Sequence, residues 1–205
     1  MNQDRDTLEE RIRDATSARD YERAATLAID CYGPELLGLA VNQLRDTEAA
    51  SEVFADFSAM FWESLPRFEW RCSMRTWCYK LLRRAVWGHR NRERKHGRAQ
   101  ALTELSQLSN AIERVRTGTV EYKRTDVKDR FQELRAQLPT EDQEILVLRV
   151  DRGLSWLDLA EVMSQSEQAR TEAELKTEAA RLRKRFQLAK EQLRQLVLDA
   201  GLLDS

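Results

Sequence analysis

"SMRTWCYKLLRRAVWGHRNRERK", residues 73–95, sets Trp77, Tyr79 and Trp87 inside a dense run of arginine and lysine. Met74, Trp77, Cys78, Leu81, Leu82, Ala85 and Val86 recur at three and four, which predicts a helix with one continuous apolar stripe and makes Trp77 a core residue. Tyr79, Arg83, Trp87 and Arg90 fall on a different face, at steps of four, four and three. Aromatic rings interleaved with arginine form a surface on which unpaired bases stack while phosphates are neutralised, each stacked base contributing about 1–3 kcal/mol. The competing reading packs Trp87 under another helix and leaves the arginines solvated.

The whole chain does not share this basic character. Its 205 residues carry 34 Lys and Arg against 35 Asp and Glu, a net charge of −1. The charges are segregated, however. Residues 46–63 hold Asp46, Glu48, Glu52, Asp56 and Glu63 and no cation, whereas between Arg67 and Arg98 only Glu69 and Glu93 oppose the cations. A second basic cluster follows near the C-terminus: Lys176, Arg181, Arg183, Lys184, Arg185, Lys190 and Arg194. One acidic and two basic patches point to two kinds of partner, one of them polyanionic.

With 41% hydrophobic and 34% charged residues, seven Gly and three Pro, the composition predicts an all-α protein, and no stretch shows the period-two alternation of a half-buried strand. No run of about 18 apolar residues is seen. The opening "MNQDRDTLEERIRD" is too polar and acidic for a secretory signal, so a cytoplasmic protein without membrane insertion is expected. Cys31, Cys72 and Cys78 cannot all pair, and with His89 and His96 they match no common zinc spacing; no metal and no cofactor are expected. A glycine-rich phosphate loop and a nucleophile beside a histidine are both missing, which argues against an enzyme.

Upstream, Leu8, Ile12 and Ala15 predict a short, polar first helix, and "SARDYERAATLAIDCY" a second with Ser17 as its N-cap. Gly33-Pro34 is expected to break the chain, with Pro34 starting a new helix through Leu36, Leu37, Ala40, Val41 and Leu44. Another runs through "EAASEVFADFSAMFWESL", with Val53, Phe54, Phe57, Phe61 and Leu65 on one face and the acids on the other, and the loop "PRFEWRCS" leads into the helix quoted above.

Downstream, residues 96–125 read as a linker with a transient helix around 101–115, which divides the chain into domains at 1–95 and 126–205. Val127, Phe131, Leu134 and Leu138 restore a helical period until Pro139. Thr140 with Gln143 forms an N-cap box for a helix through Ile145, Leu146, Leu148 and Val150, which Gly153 closes. Ser155 caps a short helix whose Trp156, Leu159, Ala160, Val162 and Met163 face inward. A capping box at Thr171 and Glu174 opens a last helix from about 172 to 197, with Leu175, Ala179, Leu182, Phe186, Ala189, Leu193 and Val197 inward. Short helix, glycine turn, short helix, then a basic helix is the layout of a helix-turn-helix DNA reader.

The order of parts resembles the group IV (extracytoplasmic function, ECF) sigma factors of the sigma-70 family, which direct bacterial RNA polymerase to promoters. From Tyr32 to Arg94, "YGPELLGLAVNQLRD", "ASEVFADFSAMFW", "LPRF" and "SMRTWCYKLLRRA" follow that family's region 2. From Phe131 to Leu196, "LPTEDQEILVLRVDRGLSWLDLAEVM" and "ARLRKRFQLAKEQLR" resemble its region 4. Three positions depart from the pattern: Ala55 replaces a frequent Gln, Arg84 replaces an Asn found in some members, and "SQSEQARTEAELKTE" is added before the cationic part of the last helix.

The resemblance implies that Glu52, Asp56 and Glu63 dock on the clamp helices of the polymerase β′ subunit. It implies that the loop from Pro66 and the helix after it melt and read the start-proximal promoter element through Phe68, Trp70, Arg71, Arg75, Tyr79, Lys80, Arg83, Arg84, Trp87 and Arg90, stacking compensating part of the cost of unpairing. The last helix, through Lys176, Arg181, Arg183, Lys184, Arg185 and Gln187, would read the upstream element and touch the β flap. An anti-sigma protein is a further partner the family makes possible. Two other readings stand beside this one: a free-standing helix-turn-helix regulator, and a helical adaptor whose charge runs are only solvated faces.

Overall fold

A computed structural model describes residues 2–90, 106–118, 126–164 and 170–202. Among them every regular element is helical, as composition and periodicity predict. Expectations for 91–105, 119–125 and 165–169, including the end of the arginine-rich helix and part of the added segment, lie outside the described residues. The helices gather into two compact units, Met1–Glu121 and Tyr122–Ser205.

The first unit contains α1 (Asn2–Ser17), α2 (Tyr21–Leu44), α3 (Thr47–Ser64), α4 (Met74–Arg90) and α5 (Ser106–Gly118). Ser17 does not cap α2. It completes the last turn of α1, the chain reverses at Arg19 (φ 60°), and Asp20 accepts from the Arg23 amide at 3.2 Å. Nor does Gly33-Pro34 break the chain: α2 runs through both. A proline inside a helix costs about 3 kcal/mol or more. Burying Leu36, Leu37 and Leu39 beyond it returns about 1.5–3 kcal/mol apiece, so packing overrides the local breaker. Gly33 is needed for another reason, because a Cβ there would lie 2.8 Å from the Val115 side chain of α5.

That contact also revises the linker. α5 buries Leu108, Ala111, Ile112 and Val115 against α2, so residues 106–118 belong to the first unit rather than to the connection. By length and composition an 18-residue window of α2 is apolar enough to cross a bilayer, and 56% of it is buried inside the protein, where α1, α3, α4 and α5 all contact the helix.

The second unit contains α6 (Asp126–Arg135), α7 (Thr140–Leu146), α8 (Trp156–Met163) and α9 (Glu172–Asp199). Pro139, not Thr140, occupies the N-cap of α7, and the Gln143 amide reaches back to donate to the Leu138 carbonyl at 2.7 Å. After α7 the backbone widens into a π-helical turn, Val147–Asp151, with the Arg152 amide bonding the Val147 carbonyl. Along this wider turn Val150 lies off the core stripe and is 60% exposed. Phe131 is likewise exposed rather than inward. Gly153 turns the chain at φ 67°, Ser155 caps α8, and Thr171 with Glu174 forms the capping box of α9. Ala179, Leu182, Phe186, Ala189, Leu193 and Val197 are buried along α9 as their spacing predicts, while Leu175 is only half-buried.

Candidate nucleic-acid interface

The loop between α3 and α4 is built by aromatic contacts. A 3-10 turn, Leu65–Arg67, carries the chain off α3, and Ser73 receives it, its hydroxyl accepting from the Thr76 amide at 3.0 Å to cap α4. Between them Trp70 adopts φ 55°, a left-handed conformation uncommon for a bulky residue. The Phe68 ring lies 5.1 Å from Trp70 and 5.5 Å from Trp77, the second pair stacked. Cations close both ends: the Arg13 guanidinium sits 4.6 Å over Trp70, and the Lys80 ammonium 5.8 Å over Trp77. The result is a column in the order Arg13, Trp70, Phe68, Trp77, Lys80.

Other expected members of this surface turn inward. Tyr79 is 1% exposed and Lys80 4%, because α4 is enclosed by α2 and α3 over a wider arc than the apolar stripe alone requires. Tyr79 therefore is not part of an exposed aromatic face, and Lys80 presents no charge to solvent. Arg75 donates two parallel hydrogen bonds to Glu35, at 2.7 and 2.9 Å. Burial alone would lower its pKa, but the hydrogen bonds and charge of Glu35 outweigh that and hold it above the ordinary value. Trp87 is 63% exposed, which removes the alternative of a buried ring; Arg90, beside it, donates to the Gln43 carbonyl at 3.0 Å. Arg83 and Arg84 are half-buried, and burial lowers the Arg84 guanidinium. Arg71 is exposed and pairs with Glu69 at 2.6 Å.

Glu52, Asp56 and Glu63 are exposed along one face of α3, whose N-terminus Asp46 caps by accepting from Glu48 and Ala49. The stripe is the solvent side of a helix whose opposite side buries Phe54, Phe57 and Phe61.

On α9 the cations divide by face. Arg181 donates to Glu178 at 2.7 Å and to Glu141 at 3.0 Å, and these hydrogen bonds raise its pKa. Arg185 bonds Asp142 at 2.5 Å and also pairs with Glu141. Lys176 pairs with Glu172. Arg183 instead lies 5.6 Å over the Trp156 ring, whose other cationic neighbour is Arg149 at 4.9 Å, and Phe186 meets that indole edge-on at 5.4 Å. Lys184 and Gln187 are exposed.

Sequence reasoning missed Glu9, Arg13 and Thr16 on α1, and Arg149 beside Trp156. The signal was present: Glu9, Arg13 and Thr16 stand at steps of four and three, one helical face. Compared with known proteins, the chain matches no family model and no curated protein at a significant level.

Proposed function

We propose that this chain is a sigma-type specificity subunit: it binds bacterial core RNA polymerase, directs it to promoters and opens the DNA there, with no chemistry of its own. The observation that carries the reading is the aromatic column at the start of α4, which has the ring type and loop placement to stack unpaired bases. Two further features support it. The exposed acidic stripe of Glu52, Asp56 and Glu63 offers a docking face for the β′ clamp helices, and the second unit offers a helix, a glycine turn and a helix ahead of a basic one for duplex DNA at an upstream element. Within that second unit the DNA-facing side would be the one bearing Arg183, Lys184 and Gln187, since Arg181 and Arg185 are already neutralised. A contact with the β flap, an anti-sigma partner and a cytoplasmic location belong to the same proposal.

Size-exclusion chromatography of the purified protein with bacterial core RNA polymerase at moderate salt tests it. A one-to-one complex is expected. No complex, together with retained binding to duplex DNA, would make the chain a free-standing helix-turn-helix regulator. Failure to bind either would leave the helical adaptor.

A further inference from the structure

α1 is held to its unit by a thin apolar seam. Ile12 and Ala15 are its buried residues. Its polar attachments converge on the loop before α4. Glu9 accepts from the Met74 amide at 2.8 Å, the Arg75 amide at 3.1 Å and the Tyr32 hydroxyl at 2.7 Å, so it covers the N-terminus of α4 from outside that helix. Four residues on, Arg13 lies over the Trp70 ring, and three further Thr16 accepts from the Trp70 indole N–H at 3.3 Å. Trp70 thus has one face under a planar cation, Phe68 beside it and its single donor satisfied by α1. Its left-handed backbone is the kind of conformation that persists only where surrounding contacts fix it. Two rings further along, the Trp77 indole N–H is buried with no acceptor among the described residues.

We infer that α1 is a strap over the aromatic column, with Arg13 occupying on Trp70 the place a stacked base would take. A guanidinium is flat and stacks on indole much as a base does, so the two compete for one surface. Single-stranded nucleic acid gains that surface when the strap lifts, and Thr16 and Arg13 are the groups that release Trp70. The inference rests on the stacking role proposed above and adds to it a resting state in which the column is closed.

The sign of one measurement separates this from ordinary charge attraction. Removing a cation from a protein weakens its binding to DNA. Arg13→Ala with Thr16→Val should do the opposite, tightening binding of a short, mixed-sequence single-stranded DNA by about three- to tenfold, as read by fluorescence anisotropy. Adding Trp70→Ala should cancel the gain. Glu9 and Ile12 stay in place so that α1 keeps its anchors, and a circular-dichroism melt checks that it does. Equal or weaker binding by the double variant overturns the strap, as does a gain that survives Trp70→Ala or an absence of single-strand binding in every variant. Polymerase takes no part in this assay, so a failed co-elution counts against the proposed function alone.

Discussion

The region around the start of α4 and the middle of α9 are both rich in cations, yet they hold them differently. Around α4 the cations are bound to rings and to one inward carboxylate: Arg13 and Lys80 end an aromatic column, and Arg75 is locked to Glu35. On α9 they are set against a cluster of acids, Arg181 and Arg185 against Glu141, Asp142 and Glu178, and Arg183 is drawn instead to Trp156. The lesson is that a count of arginines does not measure the charge a surface can offer. What matters is which partner each one already has.

The largest expected effect breaks the α4 side of the comparison. Glu35→Ala removes two hydrogen bonds and the opposite charge from an Arg75 side chain that is only 12% exposed, and should cost about 3 kcal/mol in a urea unfolding curve. A change below about 1 kcal/mol would make that pair no different from an exposed ion pair such as Arg71 with Glu69. Next comes Trp156→Ala. It removes an edge-on aromatic contact and two cation–π contacts from a half-buried site, and should cost about 2 kcal/mol in the second unit; on the proposed reading it also weakens duplex DNA binding through the loss of Arg183's support.

Smaller still is the acid response of α9. Hydrogen bonding from Arg181 holds the Glu178 carboxyl below its usual value, against the opposing pull of burial. A carboxyl whose folded value is depressed contributes stability above the unfolded value of about 4.3 and loses it as pH falls through the folded one. Melting temperature should therefore drop between about pH 4.5 and 3. Glu178→Gln should flatten part of that drop, by less than about 1 kcal/mol because its partner Arg181 is half exposed to screening solvent. Smallest for stability is Trp87→Ala, within about 0.5 kcal/mol, since the ring is 63% exposed. On the proposed reading it nevertheless slows promoter opening, and an unchanged rate of appearance of permanganate-reactive thymines would remove Trp87 from the melting surface.

Much of this was legible in the sequence, because α3 and α9 have apolar residues at regular helical steps and caps of the usual chemistry. Phe54, Phe57 and Phe61 are buried as expected, and so is every predicted inward residue of α9 except Leu175. Several of the misreadings trace to tertiary contact. Gly33-Pro34 looked like a break because the packing that carries α2 through it comes from other helices and from a distant Val115. Leu108, Ala111, Ile112 and Val115 do repeat at helical steps, but the polar residues around them hid the face they share. Tyr79 was misplaced because α4 is enclosed over a wide arc, a property of its neighbours rather than of its own sequence. The α1 residues at the column escaped notice because Glu9, Arg13 and Thr16 on a polar helix resemble an ordinary solvated face.

The docking of α5 on α2 also sets a leash. Had the connection begun at residue 96, roughly 30 residues of chain would have joined the two units, a reach of about 100 Å when drawn straight. With α5 fastened through the notch at Gly33, the eight steps from Gly118 to Asp126 can cover no more than about 29 Å. Whatever the two units bind, the end of α5 and the start of α6 stay within that ceiling. A wider separation of those two points requires peeling α5 from α2, so the contact at Gly33 sets the length of the connection.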